Sequence, residues 1–180
     1  MKNAIILQGA GETTESFWLP YIKKELESRG YEVWLPQLPG IDNPQLKVVL
    51  AFVLKGGKFK EETILIGHSA GCSLILSILE NISVKIKKAI LVAGYCQPLL
   101  EGANDILQKT YNWEKIRQNV DEIIFINSDN DPWGCDDKQG KMMFDNLGGT
   151  LIIRHGEGHM GSDKFNQPYK EFPFLLKLID

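Results

Sequence analysis

Thr63-Ile64-Leu65-Ile66-Gly67-His68-Ser69-Ala70-Gly71-Cys72 decides how the rest of the chain is read. A short apolar run leads straight into the pattern G-x-S-x-G, and an apolar helical run from Leu74 to Leu79 follows it. Glycine at both ends has a steric reason. A strand that turns at once into a helix leaves no room for a Cβ at either position. The serine at the apex is held in a strained conformation that lifts its hydroxyl above the sheet edge. The next N–H, that of Ala70, points into the same space from a helix N-terminus. A bare five-residue match is a weak signal, but strand before and helix after supply the context that makes it informative.

Working outward, similar apolar, β-branched runs recur at 4–8, 32–35, 89–93, 123–127 and 150–154. Most are apolar on consecutive residues, which suits strands covered on both faces. Helix-periodic stretches separate them, at about 15–29, 43–54, 70–80, 103–116, 137–146 and 167–179. Gly30 lies just past the first as a C-cap, and Pro168 near the start of the last. Repeated strand–helix alternation predicts an α/β chain: a mostly parallel six-stranded sheet in a three-layer αβα sandwich. Right-handed crossovers then put all strand C-termini along one edge, where such proteins bind ligands. No repeat, low-complexity segment or linker interrupts the pattern, so 1–180 reads as a single domain.

The 180 residues carry 20 Lys and Arg against 23 Asp and Glu, a formal net charge of −3. This balance offers no electrostatic footprint for nucleic acid or an anionic membrane, and the short lysine clusters (Lys55, Lys58, Lys60 and Lys85, Lys87, Lys88) read as solvated faces. Cys72, Cys96 and Cys135 are sparse and contain no CxxC pair, which argues for a reducing compartment. The N-terminal apolar run is too short for a signal peptide or a membrane span, so a cytoplasmic protein is expected.

A serine hydroxyl needs a base to take its proton. On this architecture the partners follow in the order Ser, acid, His, on later strand ends. His68 sits beside Ser69, its side chain directed away, and reads as a packing or pocket-wall residue. His159 lies in the Gly-rich loop beyond the last strand and can swing over Ser69; it is the expected base, with His155 the alternative. The acid should follow the fifth strand, in Ser128-Asp129-Asn130-Asp131-Pro132. Asp131, stiffened by Pro132, is the first choice and Asp129 the competitor, whose other role would be to close the loop as an Asx-turn. Asp136 and Asp137 suit a helix cap. Oxyanion donors are expected from the Ala70 N–H and from Gln8-Gly9-Ala10-Gly11, where Ala10 is preferred and Gly11 the alternative.

Two rival patterns fail on their own requirements. Gly9-Ala10-Gly11 resembles the start of a dinucleotide fingerprint, but its third glycine would fall on Thr14, and the second strand ends Leu35-Pro36-Gln37 without an acid for the ribose. His155 and His159 are four apart, but Gly156 and Gly158 deny them the helix that would align them on a metal. No cofactor and no metal are expected.

With these residues placed, the sequence resembles the α/β-hydrolase superfamily, and within it the small serine hydrolases related to retinoblastoma-binding protein 9. Phe17-Trp18-Leu19-Pro20-Tyr21-Ile22-Lys23-Lys24-Glu25-Leu26 with Gly30-Tyr31-Glu32-Val33 is similar to that family's first helix and second strand. Leu38-Pro39 with Asp42-Asn43-Pro44 is similar to its next loop, Ser128 to Pro132 to its acid loop and Gly158-His159 to its histidine loop. The resemblance implies a compact α/β-hydrolase fold without a cap domain, and a nucleophile, acid and base at Ser69, Asp131 and His159. The family usually carries His-Gly where this chain has Gln8-Gly9, so Gln8 could hydrogen-bond in place of the imidazole.

The function expected is serine hydrolase chemistry on small ester substrates through an acyl-enzyme, with amide or thioester as alternatives. A peptidase shares the same machinery. Trp18, Tyr95 and Trp133, with Phe17, Leu99, Tyr111 and Trp113, are candidates for the pocket rim. With no lid, short acyl groups should be preferred. The competing class is a catalytically weak scaffold that binds a protein, for which the sequence marks no partner surface; a complete, ordered triad argues against it.

Overall fold

A computed structural model describes residues 2–179. Its strands are β1 (Asn3–Leu7), β2 (Glu32–Trp34), β3 (Thr63–His68), β4 (Ile86–Val92), β5 (Val120–Ser128) and β6 (Thr150–Arg154). Its helices are α1 (Leu19–Ser28), α2 (Leu46–Gly56), α3 (Ala70–Asn81), α4 (Trp113–Gln118), α5 (Asp137–Leu147) and α6 (Pro173–Leu176). The strands form one sheet in the order β2-β1-β3-β4-β5-β6. Every neighbouring pair is parallel.

The chain moves one way from β1 to β2 and the other way thereafter. Right-handed crossovers therefore put α1 on one face and α2 to α5 on the other. α6 joins the α1 face, where Arg29 Nη1 donates to the Leu176 carbonyl at 3.4 Å. The reversal falls between β1 and β3, so the crevice at their C-terminal ends is where an α/β sheet offers a ligand site. Helix α3 lies at the centre: it is buried from Ala70 to Leu79, and each fully buried Leu or Ile contributes roughly 1.5–3 kcal/mol.

Three helices are shorter than the periodicity predicts. α1 begins only at Leu19 because Phe17 sits at a positive φ of 49°, and Pro20 occupies the first turn, where a missing N–H is harmless. The helix expected over 103–116 is a 3₁₀ turn (Asn104–Ile106) and the short α4. Asparagine side chains take the backbone's partners there: Asn104 bonds both the N–H and the carbonyl of Leu99, and Asn112 Oδ1 caps α4 by accepting from Lys115 N. Of the helix expected over 167–179 only Pro173–Leu176 forms, because Gln167 pairs with Ser162 in an antiparallel bridge. Lys88 is also not a solvated residue; it is 4% exposed, with Nζ donating to the Leu178 carbonyl at 2.6 Å and lying 3.1 Å from Glu122.

The candidate active site

Ser69 joins β3 to α3 at φ 51° and ψ −119°, a region that L-residues enter only under strain. The flanking glycines have no room for a side chain. A Cβ on Gly67 would lie 2.9 Å from Cys72 N, and one on Gly71 would lie 2.8 Å from the Leu7 carbonyl carbon and 2.9 Å from Gln8 O. The bend is thus wedged between its own helix and the end of β1, and the serine is lifted into a cavity of about 410 Å³.

His159 lines the same cavity and is 4% exposed. Its Nδ1 lies 2.7 Å from Asp131 Oδ2, and Asp131 Oδ1 accepts from Trp133 N at 2.8 Å. The loops that carry these two residues are stitched together. Gly158 N donates to Asn130 Oδ1 at 2.8 Å, Glu157 N to Ser128 Oγ at 3.1 Å, and His159 N to Gln167 Oε1 at 2.9 Å. Burial pushes the His159 imidazole below the ordinary histidine value, Asp131 pulls it up, and His68 pushes it down again. The alternatives pair with each other elsewhere. His155 Nδ1 lies 2.5 Å from Asp129 Oδ2, with His155 96% exposed at its side chain and outside the cavity lining. Asp136 caps α5, accepting from Lys138 N and Gln139 N.

Ala10 and Ala70 line the cavity, and among the described residues neither N–H has an internal hydrogen-bond partner. Gly11 cannot replace Ala10, because its N–H is committed to the Ile41 carbonyl at 2.7 Å. The Ser69 hydroxyl makes no hydrogen bond to His159 in this conformation. It opposes the rise that burial imposes on the Cys135 thiol. The donor atoms of Asp131, Cys135 and His159 lie within 4.8 Å of one another. They fit a metal poorly: a metal needs the thiolate, whereas burial holds Cys135 protonated, and Asp131 and His159 already satisfy each other.

The aromatic rim differs from expectation. Tyr95, Trp133, Phe17 and Leu99 line the cavity. Trp18 does not: it is fully buried, donates Nε1–H to the Met160 carbonyl at 2.9 Å and packs edge-on against His68 and Phe172, because α1 turns that face into the core. Tyr111 and Trp113 pack on each other, away from the cavity. Gln8 does not stand in for an imidazole. It is 1% exposed and both its side-chain polar atoms lack a hydrogen-bond partner. The bracing falls instead to Glu12, unmarked by the sequence reading, whose Oε2 accepts from Gly9 N at 2.8 Å while Oε1 lies 2.6 Å from His68 Nδ1. The available signal was a lone acid closing a loop of small residues, Gly9-Ala10-Gly11-Glu12.

Known proteins share this arrangement of strands. The solved structure of the ydeN gene product from Bacillus subtilis superposes with a TM-score of 0.90 over 99% of this chain and 97% of that one, at 23% identity. Est1E from Butyrivibrio proteoclasticus superposes at 0.70 over 99% and 90%, at 14% identity. In sequence, YdeN of Bacillus subtilis (strain 168) is 27% identical over 135 residues, 72% of this chain and 71% of its own. Serine hydrolase RBBP9 of Rattus norvegicus is 26% identical over 166 residues, 88% of this chain and 86% of its own. No helix among the described residues is long and apolar enough to cross a membrane. The model of the family described as serine hydrolase matches residues 4–178, nearly the whole length, and the chain therefore belongs to the serine hydrolase family, an enzyme of the α/β-hydrolase fold.

Proposed function

We propose that this enzyme hydrolyses small esters by acyl transfer through Ser69. The observation that carries the reading is the buried 2.7 Å pairing of Asp131 with His159, which lines the same cavity as the strained Ser69. Asp131 orients the imidazole with Nε2 free to act as base. Ser69 Oγ turns toward His159, gives up its proton to Nε2 and attacks the carbonyl carbon; catalytic contacts of this kind commonly tighten only when substrate is bound. The N–H groups of Ala10 and Ala70 stabilise the oxyanion. His159 then protonates the leaving alcohol, and the acyl-enzyme is released by water that His159 deprotonates in turn.

A cavity of about 410 Å³ suits a small molecule rather than a long chain. A fluorophosphonate probe is expected to label the wild type at Ser69 and to leave Ser69→Ala unmodified, with turnover falling by up to about 10⁶ in the variant. Along a series of p-nitrophenyl esters, acetate and butyrate should turn over faster than decanoate. Equal labelling of both proteins would remove the nucleophile assignment; a steady rise in rate with chain length would remove the small-substrate assignment.

A further inference from the structure

Glu12, in the cavity wall, and His68 behind it form a second carboxylate–imidazole pair, and no step above uses either. His68 is fully buried and Glu12 is 6% exposed. Glu12 Oε1 lies 2.6 Å from His68 Nδ1, and Oε2 accepts from the Gly9 N–H. On its other side, His68 Nε2 lies 2.9 Å from the carbonyl oxygen of His159. Geometry fixes the protons in this chain of contacts. A carbonyl oxygen only accepts, so Nε2 carries a hydrogen. Two lone pairs 2.6 Å apart would repel, so a proton also lies between Nδ1 and Oε1.

We propose that Glu12 and His68 are a positioning pair that holds the oxyanion loop and the base loop in register across Ser69 and, with His68 as an imidazolium, keeps His159 unprotonated. The proposal rests on the Ser69 reading above. One end of the pair fixes Gly9, the residue before the Ala10 donor. The other end fixes the backbone of the base itself. The His68 and His159 rings are 4.9 Å apart, close enough for one positive charge to disfavour a second. The other titratable groups facing them are Asp131 and Cys135. The remaining neighbours of His68, Phe17 and Trp18, are uncharged rings packed edge-on. Glu12 holds His68 above the ordinary histidine value in spite of its burial. A neutral His159 is the form that can accept the serine proton.

Glu12→Gln separates geometry from charge. The amide oxygen can still accept from Gly9 N–H and the amide nitrogen can donate to Nδ1, so every hydrogen bond survives while the shared proton and both charges are lost. Nitrogen NMR of the full-length protein across pH is expected to find His68 with both ring nitrogens protonated at neutral pH in the wild type, and His159 titrating higher in Glu12→Gln by about half a unit. The acid limb of kcat/KM for p-nitrophenyl acetate should move up with it. Glu12→Ala, which also releases Gly9, should lose about 10² in kcat. A neutral His68 in the wild type, or a His159 titration unchanged in Glu12→Gln, overturns the proposal. Both are read without activity. Failure of the fluorophosphonate to label the wild type instead removes the hydrolase reading and is distinguished by that result alone.

Discussion

Ser69 sits in a conformation that glycine adopts freely and serine does not, which costs roughly 1–3 kcal/mol wherever it occurs. That strain is held by the wedged glycines on either side, so it should be separable from the hydroxyl. Both Ser69→Ala and Ser69→Gly abolish the nucleophile, but only the second relieves the backbone. Glycine also gains freedom in the unfolded chain, which offsets part of the benefit. Thermal melting is expected to put Ser69→Gly above Ser69→Ala by about 1 kcal/mol, or some 2–4 °C for a chain of this length. Equal melting temperatures would mean that the elbow carries no stored strain. At this scale the sequence was explicit about the nucleophile, because a steric rule ties the two glycines to the serine. It was silent about Glu12, since nothing in the spacing of an acid says which buried imidazole it will meet.

Among the elements, β5 and the loop that follows it do most to aim the acid. Asn127 interrupts an apolar strand, fully buried, with Nδ2 donating to the carbonyls of Gly94 and Cys135 at 2.9 Å each. It thereby ties the turn after β4 to the turn that carries Asp131 into α5. Asn127→Ala leaves two buried carbonyls unpaired, at about 1–3 kcal/mol each. Asn127→Asp should be worse than Ala at neutral pH, because a carboxylate cannot donate and faces two acceptors. Urea unfolding of the two variants checks the order; an aspartate that is better tolerated than alanine would contradict the donor assignment. The strands were legible in sequence because burial on both faces leaves a continuous apolar run. The helices over 103–116 and 167–179 were not. Their periodicity was real, but Asn104 ties its turn back to Leu99, Asn112 caps a new helix, and Gln167 gives its side chain to the His159 N–H, a contact only the fold creates.

For the molecule as a whole, the two adjacent buried imidazoles impose opposite slopes on stability about the ordinary histidine value of 6.5. His159 is lowered in the fold, chiefly by burial, so the unfolded chain binds its proton first; stability present above 6.5 is lost as pH falls from there through the lowered value. His68 is raised in the fold by Glu12 against burial, so its contribution is complete below 6.5 and is lost as pH rises through the raised value. The exposed His155, raised by Asp129, has the same sign as His68, but salt screens it. The raised thiols of Cys72 and Cys135 act only above pH 9. Urea midpoints between pH 5 and 8 in high salt should therefore pass through a maximum near pH 6.5. Glu12→Gln should flatten the alkaline side, where the raised His68 acts, and His159→Gln the acidic side. A profile that climbs or falls across the whole range in the wild type would mean that one imidazole has the same proton affinity folded and unfolded, and that the cavity floor does not hold the two rings in opposite charge states.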